Sequence, residues 1–145
     1  MTIDEIIDYV TGLGGVLLLQ PTEGSDAPEL AWGDTFFYYA PDGVVPAGQP
    51  FATIVTKDYP GDETSDLNRP GSFRVNFAVS KATFTEAAAP TDASIDDTVV
   101  AHPLYASANW LAVVNPGQAT EASVRAMLSE AHDRAHTRFE RRAAQ

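Results

Sequence analysis

The amino-acid sequence predicts an α+β fold. Apolar residues recur at helical spacing near both ends of the chain, whereas the middle consists of short β-branched and aromatic runs separated by turn-forming residues. A chain of 145 residues is about the size of one ordinary domain and is long enough to bury one core. We therefore expect a single α+β domain over residues 1–145, with helices near its ends and strands between them.

The first helix is predicted from its N-terminal cap. Thr2 and Glu5 have the T-x-x-E spacing of a capping box, in which each side chain accepts a hydrogen bond from the other residue's backbone N–H. Gly12 stands where a left-handed C-terminal cap is expected. The apolar run 16–19 then reads as a short buried strand. The apolar face of the helix consists of Ile3, Ile6, Ile7 and Val10.

Turn-forming residues divide the next part of the chain. Residues 20–28 are predicted to be a loop, and a second loop rich in Pro and Gly follows residues 35–39. Gly33-Asp34 separates residues 30–32 from the aromatic run 35–39. This arrangement predicts a tight β-hairpin, with Gly at the first position of a type II′ turn. Aromatic side chains on both faces of 35–39 exceed what one core accepts, so some are expected to line a pocket or an interface.

Two further strands are predicted on either side of an acidic loop. Residues 51–56 are rich in β-branched side chains, and residues 73–79 alternate large apolar residues with polar or small ones. Because side chains alternate between the faces of a strand, Arg74 and Asn76 share the face opposite the core. The core face is assigned to Phe73, Val75, Phe77 and Val79.

The last part of the chain is predicted to add a strand and a long helix. Residues 81–89 suit a brief helix that Pro90 ends, and residues 90–98 form an acidic surface connection. Residues 110–114 read as the last strand, and Thr120 is the expected N-cap of the helix that follows. Its apolar stripe consists of Val124, Met127, Leu128, Ala131, Ala135 and Phe139.

Composition and charge exclude several classes of site and partner. The absence of cysteine excludes disulfides, thiolate metal sites and a cysteine nucleophile. No apolar run approaches the roughly 20 residues that span a bilayer, and acids stand where a secretory signal has lysines, so we expect a cytoplasmic protein without a membrane role. Residues 1–124 carry 4 basic and 17 acidic groups, whereas residues 125–145 carry 5 and 3. An acidic body repels phosphate, which makes nucleic acid an unlikely partner.

Three stretches carry a resemblance to a known family: residues 31–37 (AWGDTFF), residues 102–105 (HPLY) and residues 110–114 (WLAVV). In the order of its elements the chain resembles the MmcQ/YjbR-like proteins. More closely, it looks like a bacterial family of unknown function typified by AWGDTFFYYAPDG, PFATIVTKDYP and RPGSFRVN. The resemblance implies helices packed on one face of an antiparallel sheet, similar to secretion-chaperone-like folds. The resemblance implies little about activity: some MmcQ/YjbR-like proteins are described as DNA-binding, and no catalytic residues are carried over.

Basic residues in the acidic part of the chain mark the candidate site. If the strands beside the acidic loop are neighbours, Lys57 and Arg74 approach each other as a point cation and a forked donor suited to a carboxylate or phosphate. The alternative is that these cations pair with acids on an exposed sheet face, where ion pairs are weak. The candidate ligand-binding residues are Lys57, Asp58, Tyr59, Arg69, Arg74, Asn76 and His102.

No metal site is expected from the remaining acids and histidines. The loop acids Asp58, Asp62, Glu63 and Asp66 lack the ligand spacing of an EF-hand, so a solvated loop is expected. His132 and His136 have the spacing of paired zinc ligands, but the glutamate of the H-E-x-x-H motif is missing, so an exposed pair is expected. His102 is either a proton carrier near neutral pH or a structural residue that anchors the final strand.

Three hypotheses of function follow. The first is a non-enzymatic module without a cofactor, which binds a small anionic ligand or a protein partner through a pocket near Lys57, Arg74, Asn76 and His102. The second is an enzyme in which His102 or Asp58 carries a proton while Lys57 and Arg74 stabilise an anion. The third is DNA binding by family analogy, which the acidic charge disfavours.

Overall fold

The computed structural model describes residues 1–88 and 92–144 and shows an α+β fold. Within these residues a six-stranded antiparallel sheet is accompanied by three α-helices. Short 3₁₀ turns occur at Glu29–Ala31 and Ala106–Ala108. In chain order the elements are α1 (Ile3–Thr11), β1 (Val16–Leu19), β2 (Thr35–Tyr39), β3 (Ala52–Val55), β4 (Arg74–Ala78), α2 (Lys81–Ala87), β5 (Val99–Ala101), β6 (Trp110–Val114) and α3 (Glu121–Ala143).

The strands lie in the order β1-β2-β3-β4-β6-β5. The first four are neighbours in both sequence and space, and β6 pairs with β4 on one side and with β5 on the other. The centre of the sheet is therefore formed by β3, β4 and β6, and the short strand β5 lies at one edge.

One face of the sheet forms the main hydrophobic core with the helices. Ile6 and Val10 of α1 and Val124 and Leu128 of α3 are fully buried against it. The sheet contributes Phe37, Ala52, Ile54, Val75, Phe77, Leu111 and Val113. The predicted core face of the β4 segment is confirmed, because Phe73, Val75, Phe77 and Val79 are all buried in this cluster.

The opposite face of the sheet is covered by loops in the described part of the chain. A smaller cluster lies on this face, where Val55 and Val114 of the sheet pack with Leu67 from the loop between β3 and β4. Arg74 is in register between Val55 and Val114. The loop of residues 56–73, hereafter the β3–β4 loop, therefore folds back over the sheet.

The N-terminal cap and the C-cap position of Gly12 are confirmed, but the predicted left-handed conformation of Gly12 is wrong. The Thr2 and Glu5 side chains each accept a hydrogen bond from the other residue's backbone N–H, at 3.1 Å. Gly12 has right-handed backbone angles, and its N–H donates to the Asp8 carbonyl, so it continues the helical turn. Positive φ angles follow at Gly14 and Gly15, and at Gly15 a Cβ would lie 2.5 Å from the Tyr39 ring.

The predicted hairpin around Gly33-Asp34 is wrong. Glu29–Ala31 forms a 3₁₀ turn, and β2 pairs with β1 on one side and with β3 on the other. Because both edges of β2 are occupied by these strands, residues 30–32 do not pair with it. Gly33 does take a positive φ of 86°, as a turn requires, but its N–H donates to the Pro21 carbonyl.

The segment after β4 matches its prediction over the residues that the structure describes. Ser80 caps α2 by accepting a hydrogen bond from the Thr83 N–H. The helix ends at Ala87. The predicted end at residues 89–90 and the start of the acidic connection lie outside the described residues.

The start of α3 is capped by a distant residue. Thr120 is the N-cap position, but its hydroxyl donates to Asp97 instead of accepting from its own helix. Asp97 also accepts from the backbone N–H groups of Gly117, Ala119 and Thr120, at 2.8–3.0 Å. These hydrogen bonds, with the Thr120 hydroxyl first, lower the pKa of Asp97.

The predicted exposed histidine pair on α3 is wrong for His132. His132 is buried, and its Nε2 donates to the Gly14 carbonyl at 2.7 Å. His136 stacks on Tyr39 and contacts Glu140. The helix turns His132 toward β2 because it lies next to the buried apolar stripe, of which Val124, Leu128 and Ala131 are fully covered.

Candidate ligand-binding site

A cleft of about 470 Å³ lies on the sheet face opposite α1 and α3. Phe36, Thr53 and Asn76 are aligned across neighbouring strands and form part of its floor. Its walls come from the β3–β4 loop, through Tyr59, Pro60 and Asp62, and from the segment before β6, through His102, Leu104 and Tyr105. Polar groups are therefore set among aromatic side chains, as in many small-molecule sites.

Arg74 is the central polar residue of the cleft. Its side chain is almost fully buried, and its guanidinium donates to both carboxylate oxygens of Asp62, at 3.0 and 2.7 Å. Nη1 also donates to the Ser65 hydroxyl at 2.9 Å, and Nε donates to Asn76 Oδ1 at 2.7 Å. Four of its five N–H groups are thereby held by the protein.

Asn76 extends this network along the floor of the cleft. Its Oδ1 accepts from Arg74, so its amide nitrogen faces Thr53, to which it donates at 2.9 Å. The three side chains lie on adjacent strands of the sheet, and Thr53 and Asn76 are direct partners in register. The Arg74 side chain is fixed because a rigid sheet carries both it and Asn76.

The expectation that the acidic loop is solvated is wrong for Asp62. Asp62 is buried, as is Ser65, whereas Glu63 and Asp66 are exposed. Burial alone raises the pKa of Asp62, but the hydrogen bonds and charge of Arg74 outweigh it and lower the pKa overall. The loop folds inward at this residue because a buried guanidinium requires a carboxylate.

His102 is held with one ring nitrogen toward the backbone. Nδ1 lies 3.1 Å from the backbone nitrogens of Leu104 and Tyr105, both of which are N–H donors. Nε2 lies 3.3 Å from Arg74 Nη2. With the proton on Nε2, Nδ1 can accept from both backbone N–H groups. With the proton on Nδ1, Nε2 could accept only from Arg74, so the Nε2–H tautomer is favoured.

His102 is uncharged at neutral pH. Burial lowers its pKa from 6.5 to about 4, the Arg74 charge acts in the same direction, and the Asp62 charge opposes them. Its ring lies beside those of Tyr105 and Trp110. The ring therefore presents a neutral N–H donor to the cleft.

Two donors consequently face each other within the cleft. The fifth N–H of Arg74 is on Nη2, and its neighbour at 3.3 Å is the protonated Nε2 of His102. Neither group accepts a hydrogen bond from the other in this tautomer. The pair can instead donate together to one oxygen atom placed between them.

Lys57 lies outside this cleft and has a structural role. Its Nζ is 2.9 Å from the Leu30 carbonyl, 2.7 Å from the Trp32 carbonyl and 3.1 Å from Asp34 Oδ1. Lys57 and Arg74 are each bound to a different carboxylate, so they do not form the joint anion site that the sequence suggested. Lys57 instead ties the segment before β2 to the end of β3.

The other candidates fall into two groups. Tyr59 lines the cleft, and its hydroxyl donates to the buried Asp34, while burial and this hydrogen bond raise its pKa. Asp58 Oδ1 accepts from the Leu67 N–H at 2.8 Å and thereby closes the β3–β4 loop. Arg69 is partly exposed and contacts Asp66 and Asp96 at the surface. The structure thus gathers Tyr59, Arg74, Asn76 and His102 and leaves Lys57, Asp58 and Arg69 outside.

Comparison with known proteins gives a family. Residues 1–144 match a protein family described as a family of unknown function, DUF6194. The chain belongs to this family. No curated protein and no solved structure matches it.

Several residues at the cleft were not predicted from the sequence. Asp62 was grouped with solvated loop acids, and Thr53 and Ser65 carried no motif. Tyr105 and Trp110, which line the cleft, were not among the candidate ligand-binding residues. One signal was available for Asp62: apart from Asn76, the strand that contains Arg74 is apolar, and a buried arginine needs a nearby acid.

The cleft offers hydrogen-bond donors to a ligand. In the favoured tautomer, the nitrogen of His102 that faces the cleft carries a proton and donates a hydrogen bond. Among residues 1–88 and 92–144 no group of three or more His, Asp or Glu side chains could hold a metal ion. In the same residues no helix is long and apolar enough to cross a membrane.

Proposed function

We propose that this DUF6194 protein is a non-enzymatic module that binds a small anionic ligand in the cleft, through a carboxylate or similar oxygen. The convergence of the Arg74 Nη2–H and the His102 Nε2–H carries this proposal. A buried N–H without an acceptor costs about 1–3 kcal/mol, and a ligand oxygen between the two donors removes that cost. Fixed donors also lose little freedom on binding, because the sheet and Asp62 already hold Arg74.

The aromatic lining indicates the rest of the ligand. Phe36, Tyr38, Tyr59, Tyr105 and Trp110 surround the polar floor. Flat apolar groups pack well against such rings, and a few polar groups then fix the orientation of the ligand. An aromatic carboxylate combines both properties and is the class of ligand we propose.

Benzoate, phenylacetate and 4-hydroxybenzoate are suitable probes, with benzyl alcohol as the uncharged control. Binding is measured by NMR titration and by fluorescence of Trp110 in a Trp32→Phe background, which leaves Trp110 as the sole tryptophan. We expect the carboxylates to shift the His102 and Trp110 signals and the alcohol to bind much more weakly.

The variant His102→Asn isolates the donor pair. Asparagine can still accept from the backbone N–H groups of Leu104 and Tyr105, but it lacks the Nε2–H. We expect it to weaken carboxylate binding about tenfold, which corresponds to about 1.4 kcal/mol. His136→Asn is the matched control outside the cleft and should leave binding unchanged. Absence of a response to all three carboxylates overturns the proposal.

We also propose that the fold is MmcQ/YjbR-like and that the protein is cytoplasmic. The order of helix, antiparallel strands, the HPLY segment, the strand containing Trp110 and a final helix supports the relationship. An experimental structure compared with those of MmcQ/YjbR-like proteins tests the fold, and cell fractionation tests the location.

A further inference from the structure

Three arginines of α3 lie on one side of the helix. Arg134, Arg138 and Arg142 are spaced four residues apart, so their backbones are separated by about 6 Å along the helix axis. All three line a groove of about 360 Å³ between α3 and residues 46–51. We refer to them as the arginine row.

The arginine row has no acidic partner among the described residues. The one arginine of α3 that forms an ion pair there is Arg125, which lies 3.6 Å from Glu121. The neighbouring acids have other contacts: Glu130 accepts from Ser80 and Thr83, and Glu140 contacts His136. Partial burial, followed by the charges of Arg134 and Arg142, lowers the pKa of Arg138.

Ordinary helix electrostatics does not explain this arrangement. Cations are favoured near a helix C-terminus, but the effect is confined to the last turn. Arg134 lies more than two turns before the end of α3 at Ala143, and Arg138 lies more than one turn before it. The protein has a net charge of −11, so acidic residues that could neutralise the arginine row are abundant in the chain.

We propose that the arginine row binds the phosphate group of a small molecule. Each guanidinium is a planar fork of donors that fits two oxygens, and three of them together match a dianion with several acceptor oxygens better than a single carboxylate. The acidic charge over residues 1–124 opposes a long polyanion, so a small phosphate compound is favoured over nucleic acid.

The groove shares part of its lining with the cleft described above. Tyr38, Gln49, Pro50 and Trp110 line both. The phosphate site does not rest on the proposed function, because none of its three arginines lines the cleft.

Titration calorimetry with inorganic pyrophosphate tests the phosphate site. Arg138→Gln and Arg134→Gln each remove one charge and keep good helix propensity. Arg125→Gln is the matched control, because it removes the same charge from the same helix outside the groove. We expect each row variant to weaken pyrophosphate binding at least tenfold and the control to change it less than twofold. Equal losses in all three variants, or no binding to the full chain, overturn the proposal.

Two further measurements separate this site from the cleft and from nucleic-acid binding. His102→Asn should leave the affinity for pyrophosphate unchanged, and a larger loss than in Arg138→Gln would assign the phosphate to the cleft and overturn the proposal. A single-stranded oligonucleotide that binds more tightly than pyrophosphate at the same salt concentration would also overturn it. In NMR, the shifts caused by pyrophosphate are expected in residues 46–51 and 134–142.

Discussion

Arg74 and Asp62 form a buried, two-point ion pair, with N–O distances of 3.0 and 2.7 Å. Arg74 belongs to a central strand, whereas Asp62 belongs to the β3–β4 loop, so the pair fixes the loop on the sheet. The wall of the cleft that the loop forms therefore depends on this contact.

Asp62→Asn is expected to destabilise the protein by about 3–5 kcal/mol, since it leaves the Arg74 charge buried without a counter-charge. Urea unfolding followed by circular dichroism measures the change. Asp66→Asn is the control in the same loop: Asp66 pairs with Arg69 at the surface, so its loss should cost less than about 1 kcal/mol. Similar losses of stability in the two variants would show that the buried pair contributes no more than the exposed pair.

Stability is expected to fall as the pH is lowered from about 6.5 to about 4, partly because of His102. The folded protein holds this imidazole neutral down to about pH 4, whereas the unfolded chain takes up the proton near 6.5. The unfolded state therefore binds more protons in this window, and the loss amounts to about 3 kcal/mol at most. His102→Asn should show a shallower fall over the same window. An NMR titration that gives His102 a pKa near 6.5 would contradict this prediction.

The His102 tautomer is directly measurable. At pH 7 the ¹⁵N shifts of its ring should show a protonated Nε2 and an unprotonated Nδ1, because the Leu104 and Tyr105 N–H groups point at Nδ1. His132 provides an internal reference, since its Nε2 faces the Gly14 carbonyl and must also carry a proton. A proton on Nδ1 of His102 would remove the basis of the proposed donor pair.

Asp97→Ala is expected to destabilise the protein by about 1–2 kcal/mol, because three backbone N–H groups at the start of α3 lose their acceptor. Asp97→Asn should cost less, since the amide oxygen still accepts and asparagine tolerates the positive φ of 53° at this position. Thermal unfolding measures both variants, and Asp26→Ala serves as an exposed acid in another loop. If the Asn and Ala variants lose the same stability, the side-chain acceptor is not the cause.

Lys57→Met is expected to lower stability by about 1–3 kcal/mol without changing ligand binding in the cleft. The substitution keeps most of the apolar stem but removes the charged donor from Asp34 and from the Leu30 and Trp32 carbonyls. Chemical unfolding and the benzoate titration provide the two readouts. A loss of benzoate affinity in a fully folded variant would show that Lys57 contributes to the ligand site.

Two features that depend on residues close in sequence were predicted well. The capping box of Thr2 and Glu5 involves residues three apart, and the alternation of β4 is a property of one strand. Both need only local geometry, so both were read correctly. The hairpin at Gly33 failed because residues 29–31 form a 3₁₀ turn instead of a strand, and because β1 and β3 pair with both edges of β2.

The site was only partly predictable for a similar reason. Arg74 and Asn76 were assigned to one face because their spacing fixes it, and His102 was noted as an isolated histidine. Lys57 was wrongly paired with Arg74, since nothing local shows that Asp34 is buried beside it. The partnership of Asp97 with Thr120 spans 23 residues and likewise required the folded structure.

The hydrogen bond from the Leu67 N–H to Asp58 helps the β3–β4 loop to resist opening, which loops seldom do. Leu67 is buried beneath the loop, and the loop cannot lift without exposing this side chain and separating Asp62 from Arg74. Its opening therefore costs nearly as much as opening the sheet. The Leu67 amide proton should exchange with solvent as slowly as those of β4, so the loop and the central strands form one cooperative unit.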